Sequence, residues 1–161
     1  MSARVSVYDT GMLIALADRK AKAVRLHEGL KANPHRAIVP GPVLGQVWRP
    51  APGTVHALAT ALRDCTVPHA RSSPGALRPT VAGQPVCLLC STPMDLAEWH
   101  RIGGALGTSD LPPKKRPDVV DAMVAITAVR HGSAVIFTSD PDDIGAYLSA
   151  LNAQDVHLVA I

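Results

Sequence analysis

Asp9, Asp121 and Asp140 are the residues whose type and setting point to chemistry. The chain has 161 residues and thirteen acidic ones; eleven are aspartate, and the two glutamates are Glu28 and Glu98. Five aspartates fall between positions 118 and 143. Asp9 follows the β-prone run Val5-Ser6-Val7-Tyr8, and Asp140 follows the apolar run Ala134–Phe137 and then Thr138-Ser139. Open parallel sheets carry their sites outside the carboxyl ends of strands, so the two carboxylates are expected at one edge. Asp121 lies about one turn into a helical segment, Pro117–His131, whose apolar residues run nearly all the way round. A buried carboxylate is costly unless it is paired or bound to a metal. Several converging carboxylates without nearby histidine or cysteine favour a hard cation, magnesium or manganese. Such an ion suits hydrolysis of a phosphodiester by metal-activated water.

Each acid also has a structural reading. Asp9 and Asp140 can cap the helices that follow them, with Pro141 at a first helical position and Asp143 completing a loose capping box. Asp118, which shares a face with Asp121, can complement a helix dipole, and capping also covers Asp142 and Asp143. Asp121 lies past the capping positions and is the hardest to explain structurally. Together the set favours a site.

The elements that must position these acids alternate along the chain. Strands are expected at Val5–Tyr8, Ala37–Val39, Thr66-Val67, Val86–Leu89, Ala134–Phe137 and Val156–Val159. Helices are expected over Met12–Ala17, 21–32, Pro42–Arg49, Thr54–Arg63, Pro93–Leu106, Pro117–His131 and from Pro141 to about Leu151. Pro117 at the start, Arg130 and His131 in the last turn and Gly132 as stop signal mark the clearest helix. The better-defined strands are apolar throughout rather than alternating, the mark of a mainly parallel sheet covered on both faces. The expected fold is therefore α/β in one domain over 1–161. Residues 70–86, rich in Ser, Pro and Gly, read as a loop or insertion.

The hydrophobic fraction of 47% excludes a largely disordered chain, and aromatics at 3% leave the core to aliphatic side chains and alanine. No apolar run approaches the roughly 18 residues of a membrane span, and MSARVSVYDT lacks the layout of a signal peptide, so a cytoplasmic protein is expected. The net charge of +3 leans mildly towards polyanionic partners. Arg49, Lys114, Lys115 and Arg116 can contact an RNA backbone, against the plainer reading of a solvated loop for the last three. Trp48 and Trp99 can stack on bases, although core or dimer packing is the plainer expectation for each.

Three cysteines, Cys65, Cys87 and Cys90, argue against a disulfide scaffold. Cys87 and Cys90 form a C-x-x-C pair. No second C-x-x-C or H-x-x-x-H completes four zinc ligands, and the seven histidines form no spaced metal set. With Val86, Leu88 and Leu89 reading as strand rather than a helix start, these thiols are expected to be packed and inert.

Four segments in this order, YDTGMLIALAD, PGPVLGQVWR, RPDVVDAMVAITAVRHG and AVIFTSDPDDI, resemble the PIN domain, most of all VapC-like toxins of bacterial toxin–antitoxin pairs. The likeness covers about residues 4–49 and 93–150. It implies a Rossmann-like α/β/α sandwich, magnesium-dependent endoribonuclease activity, a homodimer and a cognate antitoxin. Carried over, Asp9, Asp121 and Asp140 match the metal-binding acids, and Asp118 and Asp143 match accessory acids, with Thr138 beside them. The family's glutamate in the helix after the second strand is Gln46 here, which offers an oxygen without charge. A catalytically impaired PIN domain that binds RNA or antitoxin is therefore the rival reading.

Other acid-based enzymes fit less well. D-T-G at 9–11 resembles an aspartic-protease half-site in the wrong, helix-rich context. A haloacid-dehalogenase phosphotransferase would want an acid at Gly11. A receiver domain would want a lysine on a late strand end, and none of the five lysines lies beyond position 115.

Overall fold

Val5–Tyr8 is buried at every position and forms β1, the centre of the sheet. The computed structural model describes residues 4–68 and 87–161. The remaining strands are β2 (Ala37–Ile38), β3 (Cys65–Thr66), β4 (Ser133–Thr138) and β5 (Asp155–Ala160). All neighbours pair in parallel, in the order β3-β2-β1-β4-β5. The helices are α1 (Thr10–Ala17), α2 (Ala21–Leu30), α3 (Gly41–Val47), α4 (Pro52–Leu62), α5 (Leu88–Ser91), α6 (Leu96–Thr108), α7 (Val119–Arg130) and α8 (Pro141–Ala150). Helices α1 to α4 pack around α1, α6 to α8 pack on one another, and both α1 and α7 meet the central pair β1 and β4. The fold is a Rossmann-like α/β/α arrangement with a five-stranded parallel sheet.

Such a sheet must hide apolar side chains on both faces, and it does. Val7, Tyr8, Met12, Leu13, Val124, Ile126, Ile136 and Ile144 are fully buried. Helix α7 is the most enclosed: Val120 and every residue from Ala122 to Ala128 are buried, as its all-round apolar pattern requires. The order of the strands reverses between β1 and β4, where the chain first builds outward to β2 and β3 and then to β5. In parallel α/β sheets this switch point opens a crevice at the carboxyl ends of the strands. Tyr8 pairs with Phe137 in register, and Asp9 N–H donates to the Phe137 carbonyl at 3.1 Å, so both chains leave the sheet side by side there.

Several expectations are corrected. From Cys87 on, the chain does not form the strand expected at 86–89. It turns into the one-turn helix α5, because Cys87 Sγ accepts the Cys90 N–H at 3.3 Å and Leu88, 78% exposed, has no core to enter. Helix α3 ends at Val47 rather than Arg49. Helix α6 starts at Leu96 rather than Pro93, where Asp95 and Glu98 cap it reciprocally: Asp95 Oδ1 accepts Glu98 N–H at 2.8 Å and Glu98 Oε2 accepts Asp95 N–H at 2.9 Å. Trp48 and Trp99 are exposed rather than core. The expected loop at 70–86 lies outside the described residues. Among the described residues no helix is long and apolar enough to cross a membrane.

Candidate active site

The backbone bond across the switch point sets the first contact of the site. Thr138, the last residue of β4, is buried, and its hydroxyl donates to Asp9 Oδ2 at 2.7 Å. Asp9, 3% exposed, is also the N-cap of α1, with Oδ1 accepting the Thr10 N–H at 2.6 Å. It is therefore both a cap and a buried acid at the crevice. Burial raises its pKa from the ordinary 3.8 and the nearby Asp140 charge adds to the rise, while the bonds from Thr138 and Thr10 oppose it.

A close approach fixes this corner. A Cβ on Gly11 would lie 2.1 Å from Ser139 Oγ, 2.7 Å from its Cβ and 2.9 Å from its backbone nitrogen. Only glycine lets the start of α1 press against the turn after β4. This role of Gly11 was not legible in the sequence; a glycine two residues after an acid at a strand end was its one signal.

Helix α7 brings the other acids. Asp118 is its N-cap, with Oδ1 accepting Val120 N–H at 2.7 Å, and Asp121 follows in the first turn. Burial pushes the Asp121 carboxyl up from 3.8 to about 7, and the charges of Asp9, Asp118, Asp143 and Asp140 push in the same direction. Four carboxylates thus converge electrostatically on a fifth. Asp143, 7% exposed, lies in the first turn of α8, and one turn further along that helix Tyr147 accepts the Asp118 N–H on its hydroxyl at 2.8 Å. Tyr147 is a second positioning residue missed in the sequence.

Asp140 precedes α8, yet its carboxylate makes no capping bond, so no Asp140–Asp143 capping box forms. Its backbone N–H instead donates to Thr138 Oγ1 at 2.9 Å. The acid is left exposed at the mouth of the crevice.

Gln46, on α3, is held from both ends. Its Oε1 accepts the Thr10 hydroxyl at 2.6 Å and its Nε2 donates to Asp118 Oδ2 at 3.4 Å. A glutamate here would set a further negative charge against Asp118 and could not donate to it. The neutral amide joins α1, α3 and α7 and relieves repulsion in an already acidic corner.

Lys115 is the one basic residue of the expected RNA-contacting set that the structure ties to this corner. Its Nζ lies 2.8 Å from Asp143 and 3.4 Å from Asp140. Lys114 and Arg116 are exposed on the same loop, and Arg49 donates to the neighbouring Trp48 carbonyl at 2.9 Å. Among the described residues, none of these three pairs with an acid of the crevice.

The donors suit a hard cation in kind, because they are carboxylate and amide oxygens. They do not form a closed cage. The group of donors among the described residues that closes to within 4.8 Å of one another is Cys87, Cys90 and His131, not a set of carboxylates. Magnesium retains several waters and takes one or two protein carboxylates, so an open set of acids fits it. The like-charge strain at Asp121 is a second sign of fit, since a cation would relieve it.

Cys90 is buried and Cys87 packs against the core, as expected from sequence, and both sulfurs also lie beside His131. No family model, curated protein or solved structure matches the chain.

Proposed function

We propose that the chain is a magnesium-dependent endoribonuclease of the PIN-domain kind, acting as the toxin of a toxin–antitoxin pair. The observation that carries this reading is the convergence of Asp9, Asp118, Asp140 and Asp143 on Asp121, whose carboxyl is held near neutrality at about 7. A hard cation relieves this concentration of like charge, which is why the set suits a metal-dependent hydrolase. Asp9, Asp121 and Asp140 hold the metal in this reading, with Asp118 and Asp143 as accessory acids. When bound, magnesium acidifies a water and neutralises charge developing on the phosphate. The chain's own residues do the rest. Thr138 orients Asp9 through a 2.7 Å hydrogen bond, and Gln46 orients Asp118 and Thr10. Lys114 and Arg116, exposed on the loop that carries Lys115 into the crevice, contact the RNA backbone, with Arg49 as a further phosphate contact. A homodimer and an antitoxin that covers the crevice come from the resemblance alone.

A second reading has one observation in its favour. Gln46 is neutral and both its polar ends are engaged by protein, so it brings no charge to a metal. On that reading the crevice binds RNA or antitoxin without turnover. RNA cleavage with magnesium, comparing the native chain, Asp9→Asn and Gln46→Glu, separates the two. Cleavage by the native chain that is lost in Asp9→Asn supports the nuclease. An inactive native chain that Gln46→Glu activates supports the binding module.

A further inference from the structure

At the other end of helix α7, three soft donors meet. Cys87 caps α5, Cys90 is buried within it, and His131 is the C-cap of α7. His131 Nε2 lies 3.3 Å from Cys87 Sγ and 3.7 Å from Cys90 Sγ, and the three donor atoms all fall within 4.8 Å of one another. We infer that Cys87, Cys90 and His131 bind a zinc ion that clamps α5 onto the C-terminal end of α7, independently of the acidic crevice.

The distances suit that ion. Zinc sits about 2.3 Å from a thiolate sulfur and about 2.0–2.1 Å from an imidazole nitrogen, so a tetrahedral site has an S···N edge of about 3.6 Å. The two S···N separations, 3.3 and 3.7 Å, bracket that value. The surroundings also orient the donors. His131 Nδ1–H donates to the Thr127 carbonyl at 2.8 Å, which fixes the ring and turns the Nε2 lone pair towards the sulfurs. The Cys90 N–H donates to Cys87 Sγ at 3.3 Å, a bond that favours the thiolate over the thiol.

Sulfur and imidazole donors suit zinc rather than magnesium. Among the described residues the site has three protein ligands, and a cavity of about 270 Å³ touches Cys90 and His131. The cavity wall also includes Met94, Trp99, Met123 and Thr127. A water is then the fourth ligand, the usual composition of an open zinc site. On binding, the thiol protons leave to solvent and two Zn–S bonds form, so affinity falls as pH is lowered.

The test uses the full chain, reduced and stripped of metal. Cobalt(II) titration is expected to produce thiolate-to-cobalt charge-transfer bands and tetrahedral d–d bands, bleached by about one equivalent of zinc per chain. Cys87→Ser and Cys90→Ser are each expected to weaken the charge-transfer bands and the double variant to abolish them, while His131→Gln weakens zinc by about tenfold or more. Cys65→Ala is expected to leave the titration unchanged. A native chain that gives no cobalt bands, its thiols free or joined as a disulfide by mass, overturns the inference. So do bands that persist in the Cys87→Ser, Cys90→Ser double variant. The native-chain spectrum decides even if a variant fails to fold.

Discussion

The two ends of helix α7 hold opposite kinds of donor. At its N-terminal end Asp118 and Asp121 meet Asp9, Asp140 and Asp143, all hard oxygen. At its C-terminal end His131 meets Cys87 and Cys90, all soft sulfur and imidazole. Asp121 and His131 are ten residues apart, about 15 Å along the helix, so neither set can share an ion with the other. The helix dipole reinforces the division, favouring carboxylates at the first turn and cationic groups such as Arg130 at the last. Between them the helix is buried almost throughout, which makes it a rigid spacer. The contrast lies in how each end is held. The acids arrive from three strand or helix termini and repel one another, whereas the thiols and the ring already attract.

The largest expected effect breaks one end alone. Asp121→Asn removes the centre of the acidic set, and magnesium-dependent RNA cleavage is expected to fall by a factor on the order of 10²–10⁴. The cobalt–thiolate spectrum is expected to persist, showing that the ends are independent. Loss of both together would refute that independence.

Next comes the corner that brings β1 and β4 together. Gly11→Ala puts a methyl 2.7 Å from Ser139 Cβ and 2.9 Å from its backbone nitrogen, contacts that neither atom can escape by rotating. A loss of about 1–3 kcal/mol in urea denaturation is expected, with magnesium-dependent activity reduced as Asp9 and Asp140 move apart.

The pH dependence of stability sharpens the comparison further. Asp121 is raised in the folded chain from 3.8 to about 7, so between those values the folded state holds the proton that the unfolded state has lost. The stabilisation is present below about pH 4 and is lost as pH rises towards 7. The metal-free chain is expected to lose about 1–2 kcal/mol over that window through this group, a value reduced for partial solvation. Magnesium, which binds the ionised form, is expected to flatten the slope, and Asp121→Asn to remove it.

The smallest effect concerns Lys115, the exposed lysine that pairs with Asp140 and Asp143. Lys115→Ala is expected to tighten magnesium by a factor of about 2–5 in calorimetric titration, because a competing cation is gone.

The acidic end was legible in the sequence because its signals are local. Asp9 and Asp140 each follow an apolar strand directly, and Asp121 interrupts an apolar helix. The parallel sheet was legible for the same reason, through strands apolar on both faces. Conditions set by tertiary contact were not. The Gly11–Ser139 approach joins residues more than a hundred positions apart, and the Tyr147 bond to Asp118 spans 29. The histidine beside the thiols was not legible because it lies 41 residues beyond Cys90 and belongs to another element. A C-x-x-C flanked by leucines has the composition of a strand. The sulfur's capture of the Cys90 N–H, with Leu88 exposed, turns it into a helix start.

The central claim is that the acidic end is strained by like charge in a way that a hard cation relieves. The most direct measurement follows the Asp121 carboxyl by NMR through a pH titration, with and without magnesium. The account predicts a midpoint near about 7 in the metal-free chain and a marked fall when magnesium is added. A midpoint at the ordinary 3.8 that magnesium does not move would contradict it.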